Sequence, residues 1–185
     1  RRFAFSVGED SDCLPSLPNC RTRRERALYR YGLRHADVVV AQTRWQRGAL
    51  ARNFGVGSVL IRSAAHDPGE PTDVPRGERP RLLWAGRLAP QKRPELLIEV
   101  ARRCPAIDFD VVGARSSGAP GEEIAAAAAG VPNLHLHGFV EHGQMSGFYE
   151  RARALVCTSA REGFPNTFLE AWSRGRPVLT TVDPD

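Results

Sequence analysis

Apolar positions in the second half of the chain form short runs separated by amphipathic stretches. RLLWAG (81–86), IDFDVVG (107–113), NLHLHGFV (133–140), ALVCTS (154–159) and PVLTT (177–181) have the apolar density of buried strands. Between them lie stretches of helical period. PELLIEVARRC (94–104) puts Leu97, Ile98 and Ala101 on one face, and EEIAAAAAG (122–130) closes on Gly130. QMSGFYERA (144–152) and PNTFLEAWSRG (165–175) complete the set. Strands alternating with short helices predict crossover units and a parallel α/β sheet. Ligands of such sheets bind beyond the carboxyl ends of the strands, which singles out the loops after 86, 113, 137 and 159.

The first half is less regular. Residues 21–35 predict a helix and ADVVVAQT (36–43) a buried strand. RWQRGALARNF (44–54) predicts a helix stopped by Gly55, and SVLI (58–61) another short strand. Residues 64–80 hold four prolines and no apolar periodicity, the composition of a linker between domains.

A length of 185 residues suits one domain with part of another. No apolar run reaches the roughly 18 residues of a spanning helix, and the first residues, basic and then acidic, do not read as a signal peptide. The chain starts without methionine, so a fragment is expected. Cys13, Cys20, Cys104 and Cys157 show no C-x-x-C spacing, which predicts reduced thiols and argues against zinc. The net charge is +5, and RTRRERALYRYGLR (21–34), with six arginines and one glutamate, equals the whole excess. Such a run is ordinarily a solvated helix face. Its sharper reading is contact with an anionic membrane surface or an acidic partner. Nucleic acid is disfavoured, because only Tyr29 and Tyr31 interleave the arginines and no nucleic-acid motif accompanies them.

Two loops carry the candidate chemistry. In GRLAPQKRPE (86–95), Gly86 ends a strand, and Arg87 and Lys92 stand at the mouth of a helix whose first turn holds Pro94. Two cations beside a helix N-terminus suit a diphosphate; a basic surface turn is the plain alternative. In REGFPNTFLEAW (161–172), Glu162 precedes and Glu170 follows a Gly-Phe-Pro turn, with Pro165 placed for the first turn of a helix. Each glutamate also has a structural explanation. Ser159–Glu162 and Thr167–Glu170 have capping-box spacing, and Glu170–Arg174 is an i,i+4 pair.

Taken together, GRLAPQK and EGFPNTFLE resemble glycosyltransferase family 4, the retaining nucleotide-sugar transferases with two Rossmann-like domains of the GT-B fold. The resemblance covers most of the chain. It implies that residues 1–65 are the C-terminal part of an N-terminal, acceptor-side domain, 66–80 an interdomain linker, and 81–185 a truncated donor-binding domain. It implies that Glu170 binds the donor ribose, while Glu162, Gly163, Phe164, Asn166 and Thr167 hold the transferred sugar. Arg87 and Lys92, beside Gly86, match the diphosphate cations, and Phe139 and Val140 a segment near the nucleobase. The expected co-substrate is a nucleotide-diphosphate sugar, without cofactor or metal. The expected acceptor is a sugar, lipid-linked or small molecule in cell-surface polysaccharide or glycoconjugate synthesis. The expected location is cytoplasmic, with a peripheral contact at the inner membrane face through residues 21–34. The departures from the family pattern are IRSAAHDP in place of an Asn-Gly turn, and Arg93 where glycine is common.

Some motifs point elsewhere. DFD (108–110) matches a metal-binding D-x-D, yet its aspartates alternate with Ile107, Phe109 and Val111 as a strand would. His135 and His137 share a strand face without an evident third ligand, and VVGARSSG (111–118) lacks the G-x-G-x-x-G fingerprint. The competing functions are a sugar-nucleotide epimerase or phosphorylase on the same fold, and a non-catalytic membrane- or protein-binding module. Product analysis separates the former, and failure to bind any nucleotide would favour the latter.

Overall fold

The computed structural model describes residues 2–64, 73, 79–114 and 119–183. The expected linker, 66–80, lies outside them except for Asp73, Arg79 and Pro80. The chain divides into two compact units. One comprises Arg1–Ala64, Arg161–Pro165 and Asp183–Asp185, the other Ala65–Ala160 and Asn166–Val182.

The first unit holds a three-stranded parallel sheet in the order β1 (Ala4–Ser6), β2 (Val38–Ala41), β3 (Val59–Leu60). The hydropathy pattern did not predict β1. Its three residues are too few to show a period, and pairing with β2 makes it a strand. A short 3-10 helix, Asp10–Cys13, follows it. Helix α1 (Arg23–His35) begins at Thr22, whose hydroxyl accepts from the Glu25 N–H while the Glu25 carboxylate accepts from the Thr22 N–H. Helix α2 (Arg44–Phe54) is capped by Thr43 and ends at Gly55, whose φ of 66° needs no Cβ. Val7, Leu33, Val39, Ala49 and Leu50 form this unit's core.

The second unit holds a five-stranded parallel sheet in the order β6-β5-β4-β7-β8. The strands are β4 (Arg81–Ala85), β5 (Asp108–Val112), β6 (Leu134–Gly138), β7 (Ala154–Cys157) and β8 (Val178–Thr180). The helices are α3 (Pro94–Arg103), α4 (Ala119–Ala129), α5 (Met145–Arg151) and α6 (Asn166–Ser173). Both sheet faces are covered. Trp84, Phe109, Val111 and Val156 pack with Leu97, Ile98 and Ala101 of α3, while Leu83, Val112 and Leu155 pack with Tyr149 of α5 and Phe168 of α6. This is why the strands read as nearly unbroken apolar runs.

The exceptions in those runs are paired. Asp110, 1% exposed, accepts from Arg81 at 3.1 Å and from Arg151 Nε at 3.0 Å, and meets His137 Nε2 at 2.5 Å. Burial raises its pKa, but the hydrogen bonds from Arg151 and His137 and the charges of Arg151 and Arg81 outweigh that, so its carboxyl stays below the usual range. Asp108 lies 3.5 Å from both Arg81 and His135. The D-x-D thus pairs with arginine and histidine side chains along one sheet face.

Candidate active site

The chain enters the sheet at its central strand, β4, adds β5 and β6 on one side, then returns to place β7 and β8 on the other. The topological switch point therefore falls between β4 and β7. Ligands of open parallel sheets bind beyond the carboxyl ends of the strands at such a point. The loop after β4 carries Gly86, Arg87 and Lys92; the loop after β7 leads to residues 161–165 and α6.

Hydrogen bonds pin the two loops together. Trp84 Nε1 donates to the Thr158 hydroxyl at 3.0 Å, and that hydroxyl donates to the Lys92 carbonyl at 2.7 Å. The Ala160 N–H donates to the Gln91 carbonyl at 2.9 Å. Thr158 and Ser159 are buried. The spacing of motifs did not reveal Thr158, because its role comes from two partners far away in sequence.

A Cβ on Gly86 would make only ordinary contact, at 3.7 Å from Lys92 Cδ and Cε, so the lysine stem lies beside this glycine. Gly113, at the end of β5, is a point of close approach: its Cβ would lie 1.8 Å from the Gly86 carbonyl oxygen, and its φ is 152°. Arg87 is exposed at the strand end, and the next residue, Leu88, is anchored in the core at 3% exposure. A 3-10 turn, Pro90–Lys92, then delivers the chain to α3, with Pro94 as its first residue. Arg93 joins the two in the left-handed region, φ 48° and ψ 53°. That left-handed geometry is one that glycine adopts without steric cost.

At the other loop, α6 starts at Asn166, so Pro165 stands immediately before the helix rather than inside its first turn. Neither capping-box reading holds. Glu162 lies outside any helix, and Thr167 is already the second residue of α6. The i,i+4 reading also changes, since Arg174 donates to the Glu170 backbone carbonyl at 3.0 Å and to Ser146 Oγ at 3.3 Å. The Glu170 carboxylate, 21% exposed, lies 3.8 Å from His142 Nδ1. The Tyr149 hydroxyl is buried near Glu170 without meeting hydrogen-bond geometry; burial and then the Glu170 carboxylate push its pKa up.

Glu162, Gly163 and Phe164 belong to the stretch grouped with the first unit. A Cβ on Gly163 would meet the Gly8 carbonyl oxygen at 2.5 Å and Gln46 Nε2 at 3.2 Å, so the turn between the glutamates has no room for a side chain there. Gln46 Nε2 donates to Asp10 at 3.0 Å. The Asp10 pKa is raised, first by burial and further by the charges of Glu9 and Glu162, against the Gln46 hydrogen bond. Asp10 is a charged neighbour of Glu162 that motif reading missed.

At the end of β6, Gly138 (φ 70°) turns the chain so that Phe139 is 69% exposed. Val140 instead packs against the core around Tyr149 and Phe168. Asn166 is exposed and Thr167 half-buried at the start of α6. Among the described residues, no group of three or more His, Cys, Asp or Glu side chains is arranged to hold a metal ion, and no helix is long and apolar enough to cross a membrane.

Solved structures share this architecture. Sucrose-phosphate synthase from Thermosynechococcus elongatus is 19% identical, with a TM-score of 0.79 over 97% of this chain and 50% of its own. HepE from Anabaena, in complex with UDP and glucose, is 16% identical, with a TM-score of 0.78 over 100% of this chain and 54% of its own. The pneumococcal O-GlcNAc transferase GtfA, in complex with UDP and GlcNAc, is 23% identical, with a TM-score of 0.70 over 97% and 37%. The fold is thus that of part of a GT-B glycosyltransferase, and the chain spans only 37–54% of these three proteins. The sequence profile of the glycosyl transferases group 1 matches residues 79–184, more than half of the chain, and the chain belongs to that family. Comparison with curated proteins found no match.

Proposed function

We propose that this chain is the donor-binding part of a retaining glycosyltransferase, which moves a sugar from a nucleotide-diphosphate sugar to an acceptor in cell-surface polysaccharide or glycoconjugate synthesis. One observation carries the reading: the loops at the switch point between β4 and β7 present Arg87 and Lys92 on one side and lead to α6 with Glu170 on the other. These loops lie within the part matched by the family profile. UDP in HepE and GtfA supports a nucleoside diphosphate as the common ligand.

In this reading residues 1–65 and 81–185 are parts of an acceptor-side and a donor-side domain. Arg87 and Lys92 grip the diphosphate and stabilise the charge of the departing phosphate. Glu170 accepts hydrogen bonds from the ribose hydroxyls. Glu162, with Gly163, Phe164, Asn166 and Thr167, holds the sugar, and Gly86, Phe139 and Val140 border the nucleotide. The two glutamates act as a two-point ruler along one donor, and the cations together with helix N-termini meet its charge without a metal. The enzyme works in the cytoplasm, at a membrane face.

The test is calorimetric titration of UDP, GDP and ADP into the protein and two variants. A hydrogen bond to a charged group contributes about 1.5–3 kcal/mol, so Glu170→Gln should weaken the preferred nucleotide roughly tenfold or more. Glu162→Gln should leave free nucleotide affinity unchanged and lower turnover with the intact donor. Equal nucleotide affinity in the wild type and Glu170→Gln rejects the ribose assignment.

A further inference from the structure

The hydroxyl of Tyr149 is a donor without an acceptor. The residue is 1% exposed on α5, and its oxygen has no hydrogen-bond partner among the described residues. Buried tyrosine hydroxyls are normally paired, because an unpaired one loses its bond to water and gains nothing in return. The ring itself is fixed. It packs with Leu83, Val112, Phe168 and Ala171 in the second unit's core, and the Tyr149 carbonyl accepts from Arg176 Nε at 3.0 Å. The charged groups that act on the hydroxyl are Glu170 and Arg174. A guanidinium has only donors, so Arg174 cannot accept from the tyrosine, whereas the Glu170 carboxylate can. The hydroxyl is closed off from the surface by this chain's own atoms, so no second molecule reaches it to supply another acceptor.

Glu170 is the movable partner. Its backbone lies in α6, and Arg174 Nη1 donates to its carbonyl at 3.0 Å while Arg174 Nη2 donates to Ser146 Oγ of α5 at 3.3 Å, which ties the two helices together. Its side chain is long and partly exposed, and on its outer side the carboxylate has His142 Nδ1 at 3.8 Å, beyond hydrogen-bond reach. The carboxylate thus stands between two neighbours and is bonded to neither. We propose that Tyr149 is a positioning residue for the donor: when a ribose draws the Glu170 carboxylate onto its hydroxyls, the inner carboxylate oxygen accepts from the Tyr149 hydroxyl, and that bond fixes the orientation in which the outer oxygen meets the ribose. The inference rests on the donor-site reading, which puts the ribose at Glu170. It makes the unpaired hydroxyl a burden of the nucleotide-free protein that binding relieves, so stability and affinity should respond differently to its removal.

Tyr149→Phe tests this, because it deletes the hydroxyl and keeps the ring in the core. The thermal melt of the nucleotide-free variant should match or exceed that of the wild type. In calorimetric titrations of UDP, GDP and ADP, the nucleotide that the wild type binds best should bind Tyr149→Phe about tenfold more weakly, as for loss of one hydrogen bond to a charged group. The analogue lacking both ribose hydroxyls should bind the two proteins alike, since nothing then draws Glu170 into place. In a Glu170→Ala background, Tyr149→Phe should change affinity no further. A lowered melt of the nucleotide-free variant overturns the inference, because it shows the hydroxyl already paired. So does unchanged affinity in Tyr149→Phe, an equal loss with the analogue, or a full additional loss on top of Glu170→Ala. If the wild type binds none of the three nucleotides, or Glu170→Ala binds as tightly as the wild type, the ribose assignment itself fails and takes this inference with it. If Glu170→Ala weakens binding and Tyr149→Phe does not, the ribose assignment stands and the role of Tyr149 alone is rejected.

Discussion

Replacing Gly113 with alanine is the most direct test of how the switch-point loops are held. The added Cβ would lie 1.8 Å from the Gly86 carbonyl oxygen and 2.7 Å from its carbon, both backbone atoms that no rotamer change can move aside. The φ of 152° adds strain of about 1–3 kcal/mol for any residue with a side chain. To relieve the clash the strand ends must part. That threatens the Gly86 N–H bond to Val112, the Gly113 N–H bond to Gly138 and the Leu88 N–H bond to Ala114, at 2.9, 2.8 and 3.0 Å. With about 0.5–1.5 kcal/mol net for each, losing two of the three brings the expected destabilisation to about 2–6 kcal/mol. Urea unfolding followed by tryptophan fluorescence measures it, because Trp84 is buried beside the site. Gly147→Ala is the control: it lies exposed in α5 with nothing within 4 Å of the new Cβ, so it should stabilise by about 1 kcal/mol. A Gly113→Ala midpoint within about 0.5 kcal/mol of the wild type would refute the close-approach argument.

Arg93→Gly should raise the melting temperature, by about 0.5–1 kcal/mol after the entropy of glycine is counted, because φ 48° strains a residue with a Cβ; an unchanged or lower melt contradicts this. Thr158→Val should cost about 2 kcal/mol by removing the hydroxyl that accepts from Trp84 Nε1 and donates to the Lys92 carbonyl, and weaken nucleoside diphosphate binding; normal stability and affinity would show that the pin is dispensable. Asp110 has a depressed pKa, so the stability it contributes is present above its unfolded value of about 4 and disappears as pH falls through the lower folded value. Melts of the wild type should therefore drop on acidification through that window, and Asp110→Asn should flatten the drop; parallel curves would place the acid transition elsewhere.

Periodicity alone determined the alternation of strands and helices after residue 80, because a parallel sheet buried on both faces leaves nearly continuous apolar runs that few other structures share. Arg87, Lys92 and the two glutamates were legible as candidates because loops at strand ends and helix starts are where such residue types have chemical use. Short elements were not legible: three residues of β1 carry no period, and only its partner β2 makes it a strand. Nor could spacing settle which local pairing a side chain chooses. The Arg174 guanidinium turned from the expected Glu170 carboxylate to the Glu170 carbonyl and Ser146, because α5 supplied a competing partner from another part of the chain. Thr158, Gly113 and Asp10 have the same explanation. Each acquires its role from atoms brought close only by folding, through a shared hydroxyl, a backbone at contact distance or a neighbouring charge, and sequence separation conceals all three.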